Sequence, residues 1–339
     1  MTNKCFITKY PTAVDNKDLL KLGEFRVNFN KTQSSTNRFV GVGSNKAQTI
    51  TVIGGTFTDG TTSKPVIGNG DYTRMDVSNT DCKVCIPDKY SITQFIMQSN
   101  DDQVAELDFS YFINISSISV NGKSLSLNTS NLKDCKLLTN FQATDSATVT
   151  GTLSDIAGLS NLTSIVIANT QVTGTLSDIA GLSNLTRINI ANTQVTGTLS
   201  DIAGLSNLTL LFLNNTISGT IAQCPRKVEE FRCAVASPLT GDLADLPSTI
   251  KRVYLHNTSG EGFSWTKGKK TGGYMFAGGI KLNATANVDD FLNDFATYTK
   301  LDGYNSLEVD YQGSDRTSES DAAISAIQNK GFTINLIKV

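Results

Sequence analysis

Three sets of side chains have types and spacings from which chemistry could be built. His256 is the single histidine in 339 residues, so any Ser-His-Asp or Cys-His site would have to use it as base. Cys82 and Cys85 form a lone C-x-x-C, half of a four-ligand zinc site, and Cys5, Cys135, Cys224 and Cys233 are scattered singly. Asp155, Asp178 and Asp201 recur every 23 residues and could stack into a carboxylate column. A bland reading outweighs each. His256 sits beside an apolar position as a rim or contact residue. The C-x-x-C has no second ligand pair and reads as strand residues near the first repeat. One acid per copy suits the positive start of a short helix better than a calcium cluster. Lys267, Lys269 and Lys270 fall in a Gly/Lys-rich stretch read as a solvated loop, and GVGSNK at 41–46 lacks the spacing of a phosphate loop. The expectation is a chain with no catalytic residue, no metal and no cofactor.

The elements that would position any site come from internal repetition. Residues 150–172 read TGTLSDIAGLSNLTSIVIANTQV, and 173–195 repeat them with two changes, Ser164 to Arg187 and Val166 to Asn189. Gly151, Gly174 and Gly197 mark the period. Within a unit, Ile165 and Ile167 alternate with polar or variable neighbours and form the inward pair of a short strand. Thr170 can bond the backbone at the bend, and Gly174 relaxes it. Ser154 is read as the cap of a helical turn whose Ile156, Leu159 and Leu162 point inward. One unit cannot bury its own apolar face; stacked units can. With Ile165 as marker, the series runs Phe95, Ile118, Phe141, Ile165, Ile188, Leu211, Phe231, Val253, mostly in steps of 22–24.

This gives an α/β solenoid spanning about 91–260. Residues 1–90, with the β-type runs KLGEFRVNF, RFVGV and QTITVIGGTF, are read as a small β-rich anchor or cap. Residues 261–339 are read as a βα cap: helices in NVDDFLNDFATYTK and SESDAAISAIQNKG, strands in NSLEVDYQG and FTINLIKV, and Leu307 and Val309 as inward residues. Ser318 and Asp321 look like a capping box, and Gly331 is read as a helix stop.

Composition narrows function further. A net charge of −2, with 18% charged residues, gives no field for nucleic acid or an anionic membrane. No apolar run reaches bilayer length. MTNKCFITKYPTAVDNKD has no basic segment followed by an apolar core, so no secretory signal is expected, and Asn-x-Ser/Thr triplets such as Asn161-Leu-Thr163 are expected to be bare.

The unit Leu162-x-x-Ile165-x-Ile167-x-x-Thr170-x-Val172 follows the leucine-rich-repeat pattern, with Thr in the Asn place. It resembles bacterial and bacteriophage leucine-rich-repeat proteins whose units read L-T-x-L-x-I-x-x-T-x-V-T-G-x-L-x-D-I-A-x-L-x-N-L. The likeness is close over 150–217 and looser over 91–260. The tail, VDDFLNDFATY then SESDAAISAIQNKGFTI, resembles C-terminal segments of phage-encoded and gut-bacterial repeat proteins. The resemblance implies binding rather than catalysis, in virion appendages or adhesins. It implies partners that are host-surface proteins or glycans, or other virion subunits, with homo-oligomers possible. The implied location is the virion, with the bacterial cell surface as alternative. The expected contact surface is the outward strand face over Arg187, Asn189, Leu210, Phe212, Asn214, Arg232, Arg252, Tyr254 and His256, where arginine and aromatic side chains collect.

Overall fold

A computed structural model describes the backbone of six strands between residues 25 and 86, and most of 92–339. Residues 99–105, 108, 111, 123–125, 234–237, 256–261 and 271–275 lie outside that description. The dominant feature is one sheet of thirteen strands. In chain order these are β1 (Phe39–Ser44), β2 (Tyr72–Asp76), β3 (Ile92–Gln98), β4 (Ser117–Asn121), β5 (Asn140–Thr144), β6 (Ser164–Val166) and β7 (Arg187–Asn189). They continue as β8 (Leu210–Leu213), β9 (Glu230–Cys233), β10 (Arg252–Tyr254), β11 (Ala277–Leu282), β12 (Ser306–Tyr311) and β13 (Thr333–Lys338). From β3 to β13 each strand pairs in parallel with the next, while β1 runs antiparallel to both β3 and β2. Each connection is one turn of a solenoid.

The marker series is a single register line. Phe95, Ile118, Phe141, Ile165, Ile188, Leu211, Phe231 and Val253 oppose one another in sequence, and the line runs on through Gly278 and Leu307 to Ile334. The eight markers are fully buried. Leu153, Ile156, Leu159 and Leu162 join Ile165 and Ile167 in the same continuous core, as do their counterparts in the next two turns. A parallel sheet covered by its own crossovers gives every inward Ile or Leu neighbours above and below, and burying each such side chain is worth about 1.5–3 kcal/mol.

The bends after β6, β7 and β8 are each closed by a buried side chain. Thr170 Oγ1 donates to Ile167 O and Thr193 Oγ1 to Ile190 O, both at 2.7 Å. In the next turn Asn214 takes over, its amide donating to Thr193 O at 3.1 Å and Val195 O at 2.7 Å. Parallel register, inward apolar pair and bend ladder define an α/β solenoid of the leucine-rich-repeat type.

The one-turn helices start two residues earlier than a Ser154 cap requires. Leu153–Ile156, Leu176–Ile179 and Leu199–Ile202 are capped by Thr152, Thr175 and Thr198. The recurring aspartates complete the boxes: Asp155, Asp178 and Asp201 accept those threonines' backbone N–H groups at 2.8–2.9 Å. The carboxylate column is therefore a stack of helix caps.

Beyond β10, the segment 262–279 read as a Gly/Lys loop ends in the first half of β11, so the same sheet continues past it. Helix α1 (Val288–Phe295) and helix α2 (Asp321–Asn329) form the crossovers to β12 and β13. Leu307 and Val309 are buried as expected. Gly331 ends α2 with φ +69°, its N–H reaching Gln328 O at 2.7 Å. The Ser318/Asp321 capping box does not form. Thr317 caps a 3-10 turn instead, and Ser320, just before α2, turns its hydroxyl to Asp289.

Two of the three N-terminal runs, Phe25–Phe29 and Gln48–Ile53, lie in a separate four-stranded sheet, and the third is β1, next to last in the solenoid sheet, whose edge is β2. Cys82 and Cys85 lie in Cys82–Ile86, antiparallel to both those strands and not in the solenoid sheet. Lys270 is no solvated lysine. It is 8% exposed and donates to Leu246 O and Pro247 O at 2.9 and 3.3 Å. Lys267 and Lys269 are exposed and ion-paired, to Asp290 and to Asp242 and Asp245. No described helix is long and apolar enough to cross a membrane.

Candidate binding face

The strands that bury the marker line expose their alternate positions on the opposite side. Two outward rows follow from the register. One runs Asn140, Ser164, Arg187, Leu210, Glu230, Arg252, Ala277, Ser306; the other runs Gln142, Val166, Asn189, Phe212, Arg232, Tyr254, Gly279, Glu308. The two substitutions between the near-identical repeats thus stand side by side: Ser164 opposes Arg187, and Val166 opposes Asn189. Both fall on the outward face while the inward pair is kept.

The centre of the face is a stack. The Arg232 guanidinium lies between two rings, 4.8 Å from the Phe212 centroid and 4.2 Å from that of Tyr254. Glu230, in the neighbouring row, fixes its edge: Arg232 Nε donates to Glu230 Oε1 at 2.7 Å, and Nη2 lies 2.6 Å from the same oxygen. The other Glu230 oxygen is 3.8 Å from Arg252 Nη1, and the Arg252 guanidinium lies over the Tyr304 ring at 4.9 Å. Two arginines, three aromatic rings and one carboxylate therefore hold one another across β8, β9, β10 and the turn entering β12. Cation–π contacts of this kind are each worth about 0.5–1 kcal/mol at exposed sites. Their larger effect here is order: long side chains are held in one arrangement before any partner arrives.

Most of the expected face residues are on it. Arg187 is exposed; Asn189, Leu210, Phe212, Arg232, Arg252 and Tyr254 are half-buried. Asn214 is not on it. It is 1% exposed and is the bend-ladder residue described above, because the third turn is one residue shorter at the bend. His256 lies outside the described residues. Val166, although outward, is only 7% exposed between Gln142 and Asn189. Two members lie outside the expected contact set: Glu230, read from sequence as an outward position but not as a contact residue, and Tyr304. Glu230 stands two residues before Arg232 in the same strand, a spacing that puts both on one face. Tyr304 precedes its strand in an irregular turn, where no periodicity marks it.

Among the described residues no group of three or more His, Cys, Asp or Glu is arranged to hold a metal ion. The free thiols of Cys135 and Cys224 are buried in the core, and burial pushes the Cys224 thiol up to about 12.

Neither a protein-family model nor a curated protein matches the chain. Similar solved structures include the leucine-rich-repeat ectodomain of the membrane receptor kinase GASSHO1/SCHENGEN3 from Arabidopsis thaliana, in complex with Casparian strip integrity factor 2. Identity there is 16% over 67% of this chain and 30% of that one, with a TM-score of 0.38. A leucine-rich-repeat protein of Leptospira interrogans gives 14% over 66% and 67%, with a TM-score of 0.40. Internalin C2 of Listeria monocytogenes gives 17% over 73% and 82%, with a TM-score of 0.27. The chain thus spans less than a third of the plant ectodomain's length. Its assignment as a leucine-rich-repeat solenoid rests on its own register and bend ladder.

Proposed function

We propose that this is a non-catalytic binding protein whose outward strand face contacts a macromolecular partner. The observation that carries the reading is the stack of Phe212, Arg232 and Tyr254, pinned by Glu230. Arginine and aromatic side chains are the residues most often found where binding energy concentrates. Here they sit together on a surface whose scaffold is repeated and whose outward positions vary between copies. The partner class we favour is protein.

The finer reading is a bacteriophage virion component, a fibre or adhesin-like module facing a host receptor, a surface glycan or another virion subunit. It rests on the sequence resemblance of the repeat and of the tail. The alternative is a bacterial cell-surface adhesin or interaction adapter with the same face. Mass spectrometry of purified virus particles separates the two: stoichiometric recovery of the chain supports the virion reading, and its absence from particles leaves the cellular one. For the face itself, the double variant Arg187→Ala, Phe212→Ala is expected to fold as the parent does and to bind host-surface or virion fractions less well. Unchanged binding by the folded variant would move the contact surface elsewhere.

A further inference from the structure

Charges on the outward face are unevenly satisfied. Glu230 holds both Arg232 and Arg252. Lys281 and Asp310 oppose each other in register, and each has a partner interaction. The side chain of Arg187, exposed on β7, makes no ion pair, hydrogen bond or ring contact among the described residues, and neither does that of Glu308, half-buried on β12. These two opposite charges flank the stack. Five strand spacings separate β7 from β12, about 24 Å at about 4.8 Å per step. That is well beyond the Debye length of about 8 Å at physiological salt, so neither charge relieves the other. Between them the surface offers Leu210, Phe212 and Tyr254, with Arg232 and Arg252 sharing the single carboxylate of Glu230.

Resting on the binding-face reading, we propose that the occupant is an extended peptide segment of a partner protein that crosses the strands. It carries a carboxylate at the Arg187 end and a cationic side chain at the Glu308 end. Extended chain advances about 3.3 Å per residue, so the two charges stand about seven residues apart in the segment. The intervening residues lie over the stack and include at least one aromatic or large apolar side chain. The Arg187 fork suits a carboxylate bidentately. Glu308 favours lysine or arginine and repels a second acid.

The test uses the full chain and an unbiased displayed library of twelve-residue peptides. The parent is expected to enrich sequences with Asp or Glu and Lys or Arg about seven positions apart around an aromatic residue. Arg187→Glu should shift the enriched set to basic residues at both ends, and Glu308→Arg to acidic residues at both ends. A synthetic peptide from the parent set should lose at least several-fold in affinity on either variant, and again on raising salt from 50 to 500 mM. Enriched sequences without spaced opposite charges, or identical sets for parent and both swaps, overturn the proposal. So does a failure to enrich any peptide. The binding-face reading is separated by Phe212→Ala tested against whatever the parent enriches: lost binding keeps the face even where the charge pattern has failed, whereas full retention discards both.

Discussion

Replacing Arg232 by lysine keeps the charge but removes the flat group between Phe212 and Tyr254 and the two-point contact with Glu230. Because the group is half-buried at the surface rather than in the core, Arg232→Lys is expected to cost no more than about 1 kcal/mol in a urea titration. A loss above about 3 kcal/mol would make the stack part of the scaffold rather than a surface held ready. Lys270 gives a residue-scale expectation in pH. Burial lowers its amine to about 8. The unfolded chain therefore holds a proton between pH 8 and about 10.4 that the folded chain has released. This group's destabilising effect is fully present below pH 8 and lifts as pH rises through that window. Cys224, raised to about 12, acts oppositely above its ordinary value, so the comparison must be between Lys270→Met and the parent. Their stability difference is expected to change between pH 8 and 10.4 and to be flat below. Alternation around the inward pair places Arg232 and Tyr254 on the outward strand face, where the register has them. It misplaces Asn214, since an asparagine one residue past the inward Leu213 reads as outward until the bend is known to be one residue shorter.

At the scale of elements, each turn depends on one backbone conformation and one cap. Gly174 has φ +102°, and a Cβ there would lie 2.9 Å from Leu153 N. Gly174→Ala is expected to cost more than about 1 kcal/mol, whereas Gly181→Ala, with open space around it, should be neutral or slightly stabilising. Equal effects in thermal denaturation would contradict the turn geometry. Further along, Asp289 ties α1 to the next turn by accepting from Thr317 N at 2.9 Å, Thr317 Oγ1 at 2.7 Å and Ser320 Oγ. Burial raises its pKa, but the bonds from Ser320 and Thr317, with Arg316 nearby, outweigh that and hold the carboxyl below its ordinary value. Its stabilisation is thus present above about pH 4 and lost as pH falls further. Asp289→Ala is expected to cost about 2–3 kcal/mol at neutral pH and to flatten that part of the acid profile. Strands and helices with clear periodicity, such as β6, β12 and α1, could be read directly from sequence. β11 could not: Ala277-Gly278-Gly279 has no apolar alternation, and its glycine at 278 is required because a Cβ would lie 1.8 Å from Val253 O. The Thr152 cap was missed because serine and threonine both suit the site, and the box partner Asp155 decides between them only when counted from the first helical residue.

The whole molecule is a stack whose middle and ends are packed differently. The central turns rely on leucine and isoleucine columns, which repeat without adjustment. At the two ends aromatic clusters take over: Phe95, Phe109 and Phe112 at one, and Trp265, Phe276, Phe291, Phe295, Tyr298 and Phe332 at the other. Large rings fill the irregular space where a turn no longer meets an identical neighbour. The register line was legible over its full expected length, from Phe95 to Val253, because every turn must place one apolar side chain at the same height. Its continuation past Val253 was partly hidden, since a glycine occupies the marker position in β11. The face was legible where arginine and aromatic residues gather, and less so where a turn residue such as Tyr304 reaches in. The central claim is that the outward strand face is where a partner binds. Site-specific photocrosslinking in the native assembly tests it most directly, with a benzophenone side chain at Asn189, beside the stack, and in a second variant at the exposed Ser206. Adducts to a partner from position 189 and none from position 206 are the expected result. Adducts from 206 alone would contradict the claim.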